Sequence, residues 1–120
     1  MREKTFVLPG LGMLKFAMWQ FGVAPQDSFY IGDHAYDADA YTPLDSWYRT
    51  AKTANWKNLS EVQNFYPSAD AVGNFIVFNI KGKAYRLIVS IDYEGQIIYV
   101  KYVLTYAEYN KEQWKNDPYF

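Results

Sequence analysis

The chain has 120 residues, half of them apolar and a fifth aromatic, with a formal net charge of −1 and no cysteine. Such a length supports one modest core, so a single domain over residues 1–120 is expected. The composition disfavours disorder, the lack of cysteine excludes a disulfide framework or thiolate chemistry, and the near-neutral charge confines any nucleic-acid contact to a local basic patch.

Charge is unevenly spread. Residues 1–43 hold three basic groups against five acidic ones, leaving nine basic against eight acidic in residues 44–120. The apolar stretch between Leu11 and Val23 is interrupted by Gly12, Lys15, Gln20 and Gly22, too short and too polar to cross a bilayer, and no clean signal-peptide cleavage site follows. A soluble, unprocessed, cytoplasmic protein with no membrane partner is the expectation.

Along the chain, residues 5–8 suit a short strand ended by Pro9-Gly10, and residues 11–21 a helix with Leu14, Met18 and Phe21 on one stripe. Residues 24–43 are rich in turn formers and aspartate and read as loop, which makes residues 1–43 an atypical opening. Thr42 then suits a helix N-cap, Pro43 the first helical position and Asp45 the first turn. Leu44, Trp47, Tyr48, Ala51 and Ala54 fall on one helical face. Asn58 with Glu61 has capping-box character, opening a second helix that buries Leu59, Val62, Phe65 and Tyr66 and stops before Pro67.

Three strand-like runs follow, over residues 75–81, 84–93 and 96–106. Gly82-Lys83 and Glu94-Gly95 are two-residue turn signals, so the runs form an antiparallel meander. Residues 107–115 are compatible with a last short helix carrying Tyr109 and Trp114. The expected class is thus α+β, a small antiparallel sheet with an N-terminal strand, packed on helices.

Counting outward from the turns sets Asn79 opposite Arg86, Ile88 opposite Lys101, Arg86 opposite Val103 and Leu87 opposite Tyr102. One sheet face is then apolar or aromatic (Ile76, Phe78, Ile80, Tyr85, Leu87, Val89, Ile91, Ile98, Val100, Tyr102, Leu104) and must be covered by helices. The other carries Asn79, Lys81, Arg86, Ser90, Lys101 and Thr105 among Val77, Ile88, Tyr99 and Val103. A cationic, hydroxyl-bearing stripe beside apolar side chains is the arrangement expected of a binding cleft.

Leu44-Asp45-Ser46-Trp47-Tyr48-Arg49, Ala54-Asn55-Trp56-Lys57-Asn58, Phe65-Tyr66-Pro67-Ser68-Ala69-Asp70, Val77-Phe78-Asn79-Ile80, Tyr85-Arg86-Leu87-Ile88 and Thr105-Tyr106-Ala107-Glu108-Tyr109 follow one another in order and spacing. Over residues 44–115 the chain resembles the HigB-type toxins of bacterial type II toxin–antitoxin systems, in the RelE/ParE superfamily. The resemblance implies a RelE-like fold and an endoribonuclease that cleaves messenger RNA, commonly on the ribosome. It also implies a cognate HigA-type helix-turn-helix antitoxin. The sequence departs from the family where Tyr106 and Asn110 replace a usual histidine and aspartate, and where Gly82-Lys83-Ala84-Tyr85-Arg86 replaces Gly-Asn-Lys-Tyr-Arg.

Metal-free RNA cleavage must deprotonate a 2′-hydroxyl, stabilise a phosphorane and protonate the 5′-oxygen. Arg86 could clamp the phosphate; Lys101, Tyr106 and Tyr109 complete the candidate catalytic set, with Asn79, Lys81, Lys83 and Lys111 as RNA contacts and neither metal nor cofactor. Simpler roles stand beside these. Arg86 could pair with Asp92 or Glu94, Lys81 and Lys83 flank a turn, and the tyrosines belong to a chain with twelve of them. His34 reads as a surface residue. Asp33, Asp37 and Asp39 lack the spacing of a calcium loop. Two other functions stay open, a non-enzymatic poison of a protein target such as gyrase and a degenerate toxin that only binds its antitoxin.

Overall fold

The computed structural model describes residues 5–7, 28–31, 34–37 and 41–120. Its centre is a mixed five-stranded sheet in the order β1-β7-β6-β5-β4. The strands are β1 (Thr5–Val7), β4 (Asp70–Val72), β5 (Phe75–Ile80), β6 (Tyr85–Asp92) and β7 (Ile97–Thr105). Only β1 and β7 run parallel, and β4 to β7 form an antiparallel meander. The fold is α+β, as expected. The expected helix over residues 11–21 lies outside the described residues.

The stretch read as loop holds a separate two-stranded hairpin of β2 (Ser28–Ile31) and β3 (His34–Asp37). Its signal was present. Phe29-Tyr30-Ile31 has strand propensity, and the letters Gly32-Asp33 are a two-residue turn signal; the surrounding aspartates masked it.

Helix α1 (Tyr41–Thr53) starts two residues earlier than expected, so Thr42 and Pro43 lie in its first turn and Asp45 falls beyond it, a correction to its expected place. Asp45 pairs with Arg49 at 2.8 Å one turn on. Leu44, Trp47 and Ala51 are buried, with Tyr48 and Ala54 packed beside them. Helix α2 (Leu59–Phe65) is capped by Asn58, whose side chain accepts from the Glu61 N–H. The Glu61 carboxylate reaches back to the Lys57 N–H rather than to that of Asn58, so the capping box is half formed. Val62 is buried, but Phe65 is 55% exposed, a correction to its expected place in the core; it lies edge-on to Trp56.

These helices cover one sheet face through Ile76, Phe78, Ile80, Leu87, Val89, Ile98, Val100 and Val103. The register matches expectation from both turns inward, with Asn79 opposite Arg86 and Val89 opposite Val100. Between Ile88 and Val89 it shifts by one, leaving Lys101 as the extra residue of a β-bulge. Beyond it Ile88 faces Tyr102, Leu87 faces Val103 and Arg86 faces Leu104. A one-residue slip exchanges faces. Val103 therefore joins the helix-covered core, while Leu104, with Tyr102 beside it, packs into the cluster on the other face.

That second face is covered by the chain after β7. Helix α3 (Tyr106–Asn110) is followed by a 3-10 turn (Gln113–Asn116), not by one continuous helix, because Glu112 adopts a left-handed φ of 60°. Trp114 is buried with Phe75, Val77, Ile88 and Leu104, and Phe120 packs against them. The Phe120 ring passes 2.8 Å from where a side-chain carbon on Gly73 would stand, and Gly73 has a φ of +60°, so only glycine fits there.

Candidate functional site

At one end of the second face the sequence has built a cation between two rings. Arg86 leaves β6 on the face shared with Leu104 and Asn79 and is only 8% exposed. Its Nη1 donates to the Lys83 carbonyl at 2.7 Å, which fixes one end of the guanidinium against the β5–β6 turn. The guanidinium carbon lies 5.7 Å from the ring centre of Tyr106 and 5.2 Å from that of Tyr109. Neither Asp92 nor Glu94 meets it, and among the described residues no carboxylate pairs with it.

The two rings are placed by a complete capping box. The Thr105 side chain accepts from the Glu108 N–H, and the Glu108 carboxylate accepts from the Thr105 N–H. The Tyr106 N–H donates to the Ala84 carbonyl, which joins the start of α3 to the β5–β6 turn. Tyr106 is 55% exposed, whereas Tyr109 is half-buried. The Thr-x-x-Glu spacing was legible as a capping signature, although Thr105 and Glu108 stood out first as family letters.

Asn79, Lys81, Lys83 and Lys111 surround this cluster unequally. Asn79 is half-buried and directly across from Arg86. Lys81 and Lys83 are exposed in the turn, Lys81 with a φ of 53°. Lys111 caps α3 and is exposed.

Lys101 is not brought to this cluster. It lies three residues from Leu104, the partner of Arg86, or about 10 Å along the strand. Its ammonium is 3.4 Å from the Asp117 carboxylate, over the rings of Phe75 and Tyr119. Tyr102 donates to the same carboxylate at 2.7 Å. Residues 117–120 thus cover the part of the face that the alternation pattern left open, and this anchoring set was missed because the bulge that turns both Lys101 and Tyr102 toward Asp117 leaves no mark in the sequence.

The Asp117 side chain is 8% exposed. The pair with Lys101 is only partly buried, so losing one partner costs less than the several kcal/mol of a fully buried pair and more than the about 0–1 kcal/mol of an exposed pair such as Arg49–Asp45. Burial acts to raise the Asp117 carboxyl, but the Tyr119 N–H, the Tyr102 hydroxyl and the Lys101 ammonium together hold it below its ordinary value of 3.8. Burial, the hydrogen bond to Asp117 and that residue's charge push Tyr102 up to about 12.

A lowered carboxyl stabilises the fold above its unfolded pKa, and that contribution is lost as pH falls through the folded value. A raised phenol stabilises below its unfolded pKa and loses this as pH rises from 10.0 toward about 12. The melting temperature should fall at both ends, below about pH 4 and above about pH 10. Asp117→Asn should flatten the acid limb, which thermal melts across pH will show; an unchanged acid limb would remove Asp117 from the account.

Among the described residues no group of three or more His, Cys, Asp or Glu side chains forms a metal-binding cluster, and no described helix is long and apolar enough to cross a membrane. Comparison with curated proteins gave no significant match. A family model does match, over residues 40–112, and it describes a RelE-like toxic component of a toxin–antitoxin system. The matched span runs from α1 through β4 to β7 and α3, carrying Arg86, Tyr106 and Tyr109, and on that match the chain belongs to the HigB toxin family.

Proposed function

We propose that the chain is a single-domain, metal-independent endoribonuclease that cleaves messenger RNA, with Arg86 as its phosphate-binding group. The observation that carries this reading is a buried guanidinium whose Nη1 is held by Lys83 while, among the described residues, no carboxylate neutralises it. An arginine is always charged, and a buried charge without a counter-ion is costly. Two aromatic faces offset part of that cost. A phosphate meeting Nε and Nη2 in bidentate fashion would offset the rest.

In this reading the 2′-hydroxyl attacks the adjacent phosphorus as its proton passes to solvent water, and the bond from phosphorus to the 5′-oxygen breaks. Arg86 stabilises the charge gathering on the non-bridging oxygens, and the 5′-oxygen departs with a proton. The exposed Tyr106 stacks on a base or donates that proton, and Tyr109 backs the guanidinium. Asn79, Lys81, Lys83 and Lys111 guide the strand. Lys101, with Asp117 as its counter-ion, stands apart from the phosphate. The antitoxin partner would be a HigA-type helix-turn-helix protein, acting in the cytoplasm.

The test is cleavage of a translated messenger by purified protein in excess chelator, with and without ribosomes. Cleavage within the reading frame is expected, along with growth arrest on induction that a co-expressed helix-turn-helix partner relieves. Arrest with intact messenger in every arm would point instead to a non-enzymatic toxin; intact messenger without arrest would point to a degenerate toxin that only binds its antitoxin, the reading that Tyr106 and Asn110 favour by standing where the family carries histidine and aspartate.

A further inference from the structure

We infer that Trp114 is a positioning residue for this site: its indole holds the Tyr109 ring on which the Arg86 guanidinium rests. The inference deepens the endoribonuclease reading, and Trp114 lies beyond the matched span of residues 40–112. Helix α3 has five residues, too short to fix a side chain on its last turn by its own cooperativity. The orientation of Tyr109 must come from outside the helix, and Trp114 supplies it twice. The two rings are stacked, centres 5.3 Å apart and planes 16° from parallel. The indole Nε1–H also donates to the Tyr109 carbonyl at 3.1 Å.

Trp114 is itself fixed. It is 4% exposed, lies two residues after the left-handed Glu112, and meets the Phe120 ring edge-on at 5.4 Å. A chain of contacts therefore runs from Phe120 through Trp114 and Tyr109 to Arg86. The Asp117 backbone is bonded to the Trp114 carbonyl and the Phe120 N–H, but its carboxylate takes a separate route, to Lys101 and Tyr102, and no described side-chain contact joins that carboxylate to Trp114 or Tyr109.

This separation supplies the control. Trp114→Phe keeps a ring and loses the N–H bond, Trp114→Ala loses both, and Asp117→Asn removes only the carboxylate's charge, keeping the backbone bonds to Trp114 and Phe120. At saturating messenger the single-turnover rate should fall by about tenfold in Trp114→Phe and about a hundredfold in Trp114→Ala, with a smaller change in half-saturating concentration, because misplacement acts on charge that develops during reaction. Asp117→Asn should keep the parent rate wherever it is folded. Independently of activity, the Arg86 Nε–H resonance, shifted by the rings over it, should move in both Trp114 variants and stay in Asp117→Asn.

An unmoved resonance in folded Trp114→Phe would overturn the inference, as would rates that simply track melting temperature across all three variants. If the parent and Arg86→Ala cleave alike, the function reading falls; the resonance still decides whether Trp114 positions the guanidinium.

Discussion

Arg86→Ala should lower the rate of messenger cleavage by about 100- to 1000-fold, the usual loss when one preorganised donor to a developing oxyanion is removed. The charge pattern alone suggests that this change leaves the fold untouched. The buried position between Tyr106 and Tyr109 says otherwise. Two cation–π contacts, each worth roughly 0.5–2 kcal/mol, disappear with the guanidinium, so a measurable fall in melting temperature should accompany the loss of rate. Arg86→Lys separates the two effects. It keeps a charge near both rings but lacks the planar fork, so it should recover stability better than it recovers rate. A folded Arg86→Ala variant that cleaves and arrests growth like the parent would remove Arg86 from the chemistry.

The opposite result, a gain, is expected from Tyr106→His. A phenol ordinarily titrates near 10 and imidazole near 6.5, so only the latter shuttles protons readily at neutral pH. The Tyr106 ring is 55% exposed, which leaves room for the smaller imidazole, and lies 5.7 Å from the Arg86 guanidinium carbon. A cation that close disfavours imidazolium and keeps the new side chain in its basic form. Cleavage should rise by about tenfold to a thousandfold, within the scale of general acid–base catalysis. The pH–rate profile should gain a limb at or below about 6.5. The double variant with Arg86→Ala should lose the gain, since the phosphate is no longer held. An unchanged rate in the single variant would show that position 106 carries no proton transfer.

The elements that local chemistry specifies were legible in the sequence. Leu44, Trp47 and Ala51 mark the buried face of α1, Asn58 marks the start of α2, and the two turn pairs set the meander register as far as Val89 and Val100. Strict alternation fails at Lys101 because a bulge adds a residue without adding a recognisable letter. Counting on through it put Tyr102 and Leu104 on the wrong face. The tail was illegible for a related reason. Phe120 finds its partners at Asn74, 46 residues back, and at Phe75, Asp117 finds Tyr102 on β7, and Trp114 packs among Phe75, Val77 and Ile88, contacts no local period encodes. Of the site, Arg86, Tyr106 and Tyr109 were reachable through the family resemblance, and the structure brings these three together. Lys101 shares a sheet face with Arg86, yet facing the same way does not make it a neighbour.

The capping box at Thr105 and Glu108 bears on how such a site can change. Those two residues settle where strand becomes helix, through bonds that do not involve the side chains at 106 or 110. Tyr106 is fastened to Ala84 by its backbone N–H, whatever side chain it bears. Position 106 is therefore a socket: the frame stays while its occupant is exchanged. In a lineage whose host must survive its own toxin, a single codon at such a socket can change what the site presents while the strand-to-helix frame stays, and a later codon change can restore it.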